Sequence, residues 1–182
     1  MSISDLTIID PSANIESGVE IGPWTIIGPN VNIGKGTKIG PHVVIKENTT
    51  LGANNTIHQF ASIGGDPQVK NYSHTPSFLE IGDDNTFHEY VTISRGDIAG
   101  GCLTKIGNKN LFMACAHVGH DCIIKDETIF VNNAAAAGHV EIEDFVVLGA
   151  FCAVHQFCKI GMHSFLSRGA MVTQDVVPYT MV

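Results

Sequence analysis

The sequence predicts an all-β protein built as a hexapeptide-repeat parallel β-helix, a triangular prism of stacked 18-residue coils. Three observations carry that prediction: an aliphatic or aromatic anchor at every sixth position, a small or β-branched residue two places before it, and a glycine directly after it in eleven hexads. With 44% hydrophobic and 15% charged residues, the 182-residue chain has enough apolar side chain for one domain spanning 1–182 and too much for a disordered polypeptide.

The anchors run from Ile9 through Ile15, Ile21 and Ile27 to Ile63 without a slip, return at Ile81, Phe87 and Ile93, and resume from Ile106 to Val172. An α-helix repeats at about 3.6 residues and a plain strand at about two, so neither explains a strict six. Three hexads instead close one coil, whose short strands stack on the next coil about 4.8 Å away. Residues such as Val19, Thr25, Val31, Ala116, Cys122 and Ala134 precede their anchors by two, so both positions are expected to face inward. The glycine after the anchor, as at Gly22, is expected at a sharp corner that needs unusual dihedrals.

Two stretches break the period. Between Ile63 and Ile81 the segment GDPQVKNYSHTPSFLE lacks the small inward residues, and Ile93 is thirteen residues from Ile106. Loops over about 65–80 and 95–105 are therefore expected to leave the prism, where function is more often found than on the regular coils.

Charge and cysteine content narrow the function classes. Ten Lys and Arg against eighteen Asp and Glu give a net charge of −8, which disfavours a polyanion-binding surface and hence nucleic acid. The first twenty residues carry no basic run ahead of an apolar one, and nowhere do eighteen apolar residues run together, so a cytoplasmic protein without stable membrane insertion is expected. Five cysteines without a CxxC pair suit reduced thiols used as small core residues.

The chemistry-bearing stretch is CAHVGHDC, residues 115–122. Taking Val118, Ala136, Val154 and Val172 as one column of anchors, His117, His120, His139, His155 and Gln156 all fall along one edge of the prism, as an outward polar ridge. A metal site, a base with its carboxylate and ordinary histidines all remain open at this point. His42, His58, His74 and His163 are expected to be simply solvated. A prism face is convex, so a neighbouring subunit of a cyclic homo-oligomer is expected to supply the second wall of any site.

The ordered set HVGHDC, AAAAGHVEIEDF, AVHQFCKIG and TQDVVPY, together with the hexads, resembles the UDP-N-acetylglucosamine acyltransferases of lipid A biosynthesis over nearly the whole chain. The resemblance implies a left-handed β-helix, a homotrimer with sites between subunits, and transfer of a 3-hydroxyacyl chain from acyl carrier protein to the sugar 3-position of a UDP-sugar, without cofactor or metal. It implies His120 as general base, Asp121 as its carboxylate and the Gly138 N–H as oxyanion donor. Gln68, Lys70, His117, His139, His155 and Gln156 then become substrate-binding residues. The chain departs from the family pattern in four ways: the family's C-terminal helical domain does not follow TQDVVPY, the loop reads PQVKNY with Val69 and Asn71 in place of a carboxylate and a lysine, Ser94 replaces a histidine, and Arg168 replaces a small residue. Val69 raises a 3-amino sugar as an alternative acceptor. A metalloenzyme resembling the γ-class carbonic anhydrases and a non-catalytic trimeric scaffold are the competing functions.

Overall fold

The computed structural model describes residues 2–70, 72–73 and 76–182. The substituted Asn71 and the solvated His74 expected above lie outside the described residues. The described chain forms three parallel sheets of nine, nine and eight strands, with successive strands contributed to each sheet in turn. Most strands are two residues long, as in Ile26–Ile27, Asn32–Ile33 and Lys38–Ile39. Partners on neighbouring coils are 18 residues apart, as in Ile26↔Val44 and His117↔Ala135. A coil of three hexads is thus the repeating unit, as the period of six requires.

Both inward positions are buried. Val19, Val31, Thr25 and Ala134 are fully excluded from water, as are the anchors Ile45, Phe112 and Ile142. Each such aliphatic side chain contributes roughly 1.5–3 kcal/mol. Size is balanced within a coil. Phe87, Phe112 and Phe130 stack at 4.9 and 4.8 Å inside the first sheet, and the coil holding Phe130 carries the small Ala136 in the second. A bulkier residue at 136 would overfill that coil, at a cost of about 1–3 kcal/mol.

The position two before the anchor is not reserved for small and β-branched residues. Asn55, Asn85 and Asn110 occupy it fully inside the prism, where Asn55 Nδ2 donates to the Gly52 and Gly82 carbonyls at 2.9 Å and Asn85 Nδ2 to Gly107 at 3.0 Å. The Asn55 and Asn85 amides thus satisfy inner carbonyls of the corners, a task no aliphatic side chain performs, while Asn110 Oδ1 accepts from the Thr128 N–H and hydroxyl, both at 2.7 Å.

The expected reason for the glycines after the anchors holds at Gly64, which has φ +77°, and needs correction at the other ten. Gly22 has no positive φ. A Cβ there would lie 2.6 Å from the Pro41 nitrogen on the next coil, so close approach of backbones, not dihedral freedom, excludes a side chain. The left-handed conformation falls two residues later, at Trp24, Asn30, His42, Asp121 and His139 among others. Coil closure imposes it even on residues that disfavour it by about 1–2 kcal/mol.

Both excursions are present, with tighter bounds than expected. The first lies between strands Ser62–Gly65 and Phe78–Ile81, the second between Thr92–Ser94 and Leu103–Ile106, with a short 3-10 turn at Ile98–Gly100. The flanking strands still pair across them, Thr56 with Thr86 and Thr92 with His117. Arg95 ties the two loop roots together. Its buried guanidinium bonds the Gly64 carbonyl at 2.7 Å, Glu47 at 2.8 Å and the Asp66 carboxylate. No described helix is long and apolar enough to cross a membrane.

Two further expectations change. Cys122, Cys152 and Cys158 are buried, but Cys115 is exposed and Cys102 half-buried, because both sit at left-handed corner positions that point outward. The histidines expected to be merely solvated are stacked along corners: His42 between Trp24 and Phe60 at 4.9 and 5.3 Å, His163 between Phe145 and Tyr179, and His58 on His88. Corner side chains repeat every coil, so aromatic rings there fall into register.

Candidate active site

The second sheet carries Thr92, His117, Ala135 and Ala153 outward in one row, through the pairings Thr92↔His117, His117↔Ala135 and Ala135↔Ala153. The corner that follows this sheet holds His120, Gly138 and Gln156 in a second row, one coil apart. A groove of about 280 Å³ runs along both rows, with Gln68 of the first excursion and Ser94 as its further wall. The small side chains of Ala135, Ala137 and Ala153 leave this space empty. The expected convex ridge is therefore already concave within one chain, because the first excursion folds back beside it.

His120 lies in this groove with its orientation fixed. Its Nδ1 is 2.7 Å from Asp121 Oδ2, and the Asp121 side chain is almost wholly buried. Both carboxylate oxygens of Asp121 also accept from the Asp97 N–H, at 3.0 and 2.9 Å, and the Asp121 N–H donates to Thr104 Oγ1 at 2.8 Å. Asp121 thereby clamps the second excursion to the prism and holds the ring of His120. A carboxylate on Nδ1 keeps the proton there, which leaves Nε2 with its lone pair. That nitrogen faces Gly138, where a Cβ would lie only 2.6 Å from it.

The Gly138 N–H has no acceptor among the described residues, and neither do the N–H groups of His120 and Gln156. His139 turns away from the groove lining. Its ring stacks on Phe157 at 4.4 Å and meets His120 edge-on at 4.9 Å, while Gly100 of the second excursion packs against it. His117 Nδ1 is 2.8 Å from Thr92 Oγ1. Burial, reinforced by the nearby His120, pushes the pKa of His117 below the ordinary histidine value. Burial also raises the Cys122 thiol to about 12, so it stays protonated and donates to the Ala137 carbonyl at 3.0 Å. That thiol is no nucleophile at neutral pH.

Of the residues expected to form the site, Gln68, His117, His120, Gly138 and Gln156 line the groove. Asp121 and His139 lie behind it in contact with His120. His155 is exposed, with Nδ1 3.3 Å from the Gln156 carbonyl, and Lys70 is exposed on the first excursion. Arg168 is exposed at the corner after the first sheet, away from this lining. Sequence reasoning missed Thr92, Thr104 and the Asp97 N–H, which orient the two histidines and the carboxylate. Only the coil register of Thr92 with His117 carried a sequence signal for any of them. His120, Asp121 and His139 bring ligand atoms within 4.8 Å of one another, as a metal would need. The Asp121 oxygens, however, already accept from Asp97 and His120, an arrangement that suits a base and its orienting carboxylate.

Comparisons agree on one kind of protein. Residues 1–35 and 30–65 match the bacterial transferase hexapeptide repeat. A relative from Alkalilimnicola ehrlichii, an acyl-(acyl-carrier-protein)–UDP-N-acetylglucosamine O-acyltransferase, is 55% identical over 99% of this chain and 70% of its own. Among solved structures, LpxA from Acinetobacter baumannii superposes with a TM-score of 0.97 at 46% identity, covering 98% of this chain and 69% of that one. The UDP-N-acetylglucosamine acyltransferase of Francisella novicida does so with a TM-score of 0.98 at 42% identity, covering 99% and 66%.

Proposed function

Because the chain belongs to the UDP-N-acetylglucosamine O-acyltransferase family, with its left-handed parallel β-helix, we propose that the groove beside His120 is the site where that acyl transfer takes place. The protein is an acyltransferase that moves an acyl chain from acyl carrier protein to UDP-N-acetylglucosamine in lipid A biosynthesis. The observation that supports the site assignment is the pairing of a lone-pair nitrogen, His120 Nε2, with an unpartnered Gly138 N–H one coil away.

The chemistry needs both groups. A sugar 3-hydroxyl attacks a thioester too slowly at neutral pH unless a base removes its proton in the transition state, a contribution of about two to four orders of magnitude. His120 Nε2 takes that proton as the sugar oxygen bonds to the carbonyl carbon, and Asp121 stabilises the resulting imidazolium without taking the proton itself. The carbonyl oxygen, now an oxyanion, accepts from the Gly138 N–H, a contact worth about 3 kcal/mol in comparable sites. Collapse breaks the carbon–sulfur bond, and the carrier thiolate leaves with the proton from Nε2. No covalent enzyme intermediate is required.

Gln68, Lys70, His117, His155 and Gln156 hold the sugar and nucleotide by hydrogen bonds, and a low pKa keeps His117 neutral for that task. His139 fixes the His120 ring. A 3-hydroxyacyl donor and the sugar 3-hydroxyl are the specific substrates in this reading. The 3-amino acceptor suggested by Val69 draws no support from the groove, since Gln68 lines it while Val69 is half-buried with its N–H bound to the Pro67 carbonyl at 2.9 Å. The groove is open on one side, which suits a homotrimer whose neighbouring subunit closes it, and five free thiols suit the cytoplasm. Mass spectrometry of UDP-N-acetylglucosamine incubated with acyl carrier protein thioesters tests the reading. Acylated UDP-sugar is the expected product, and hydrolysis of the thioester without it would reject the assignment. Light scattering of the same sample tests the trimer, and a stable monomer would remove the shared wall.

A further inference from the structure

A second group of histidines lies on a different corner, the one that follows the first sheet. Ile57 pairs with Phe87 across the first excursion, so His58 and His88, the residues just after each strand, fall one above the other on adjacent coils. Their imidazole rings stack at 4.7 Å with planes within 3° of parallel. Glu89 follows His88 directly. Its Oε2 is 3.5 Å from His88 Nδ1, and its Oε1 accepts from Gln59 Nε2 at 3.1 Å. All three side chains are half-buried, so they are fixed by neighbours yet open to solvent. One nitrogen of each ring and one carboxylate oxygen lie within 4.8 Å of one another.

We propose that His58, His88 and Glu89 bind a divalent cation of the zinc class, at a site separate from the acyl-transfer groove. Two neutral imidazole nitrogens and one carboxylate oxygen are a donor set that favours zinc and its transition-metal neighbours over magnesium or calcium, which prefer oxygen alone. Bonds of about 2.0–2.1 Å to a tetrahedral ion place ligand atoms about 3.4 Å apart. Reaching that geometry requires the two parallel rings to turn until both planes contain the ion, a movement open to half-exposed side chains, with water in the fourth position. Gln59 orients the carboxylate from outside, the usual part of a residue behind a metal ligand. The competing cluster at His120 has its carboxylate engaged by the Asp97 N–H and the His120 ring. In the surface cluster one oxygen of Glu89 accepts from Gln59 and the other faces the His88 ring, itself one of the proposed ligands. Bound there, the ion would clip together two coils whose chain connection is lengthened by the first excursion.

Calorimetric titration of zinc into the metal-stripped full chain tests this, with magnesium as the contrasting ion. One equivalent of zinc is expected to bind, magnesium is not, and His58→Ala and His88→Ala should each weaken zinc at least about tenfold. Because those side chains point outward, far-ultraviolet circular dichroism should be unchanged. Glu89→Gln, nearly the same shape, gives a second variant with the same expected loss. His120→Ala should leave zinc binding intact. No zinc uptake by the unaltered chain, uptake indifferent to His58→Ala, His88→Ala and Glu89→Gln, or loss confined to His120→Ala would each overturn the proposal.

Discussion

The corner after the third sheet and the corner after the second share one backbone geometry and treat it oppositely. Two residues beyond the anchor, each coil presents an N–H that the helix itself cannot satisfy. After the third sheet side chains of adjoining coils cap it: Ala53 donates to Asp83 at 2.7 Å, Asp83 to Asn108 at 2.8 Å, Asn108 to Asp126 at 2.7 Å and Asp126 to Asp144 at 2.9 Å. After the second sheet the equivalent groups belong to His120, Gly138 and Gln156, and among the described residues nothing caps them. An unpaired donor costs stability wherever water is excluded. The same donor is available to a developing negative charge. One corner is closed for stability and the other is left open for chemistry.

The largest test of that contrast is His120→Ala, which should lower the transfer rate by about two to four orders of magnitude with an unchanged circular dichroism spectrum. A rate within a fewfold of the unaltered protein would remove His120 from the mechanism. Gly138→Ala should come next. The residue has no positive φ, so alanine fits the backbone, but its Cβ would press on His120 Nε2 from 2.6 Å and displace the ring. A displacement of that size costs about a hundredfold in rate, measured as kcat with thermal stability monitored beside it. On the closed corner the balance reverses. Asp126→Ala removes the acceptor of the Asn108 N–H and Nδ2 and should destabilise the fold by about 1–2 kcal/mol in urea melts. Its kcat should stay near the unaltered value, and a rate loss as large as that of Gly138→Ala would break the division between the corners.

The smallest expected effect is a pH dependence from His117. Its folded pKa is lowered below 6.5, chiefly by burial. As pH falls through 6.5, the unfolded chain takes up this proton before the folded one does. The His117 contribution to stability therefore declines across the window from 6.5 down to the folded value and is fully lost below it, the rest of the fold's stability being unaffected by this group. Urea midpoints at pH 8 and pH 5.5 should differ less in His117→Gln than in the unaltered chain.

The sequence made the regular part of the molecule legible because burial in a coil has a strict period. One residue in six is an anchor that must point inward, so the run from Ile9 to Ile63 is visible without any contact information, and so are the two interruptions. The columns of residues 18 apart followed, which placed His117, His120, Gly138 and Gln156 on one edge. The capped corner was equally periodic in Asp83, Asn108, Asp126 and Asp144, and acidic or amide residues two beyond an anchor in every third hexad were a readable signal left unread. All but Gly64 of the glycines after the anchors were read with the wrong cause, because backbone approach between coils is a tertiary quantity.

The hexads by themselves determined the prism, its inward residues and the register of its faces, since each follows from repeating one local geometry. The tertiary structure alone decided what the excursions touch. Asp97 reaches Asp121 across 24 residues, and Arg95 reaches Glu47 across 48, neither being a simple multiple of the coil. Once a loop leaves the repeat, the distance along the chain no longer encodes neighbours in space. Whether His120 was one more exposed histidine or a ring held by Asp121 beside an uncapped N–H was decided there, by the packing of the second excursion on Asp121 and of the first along the groove.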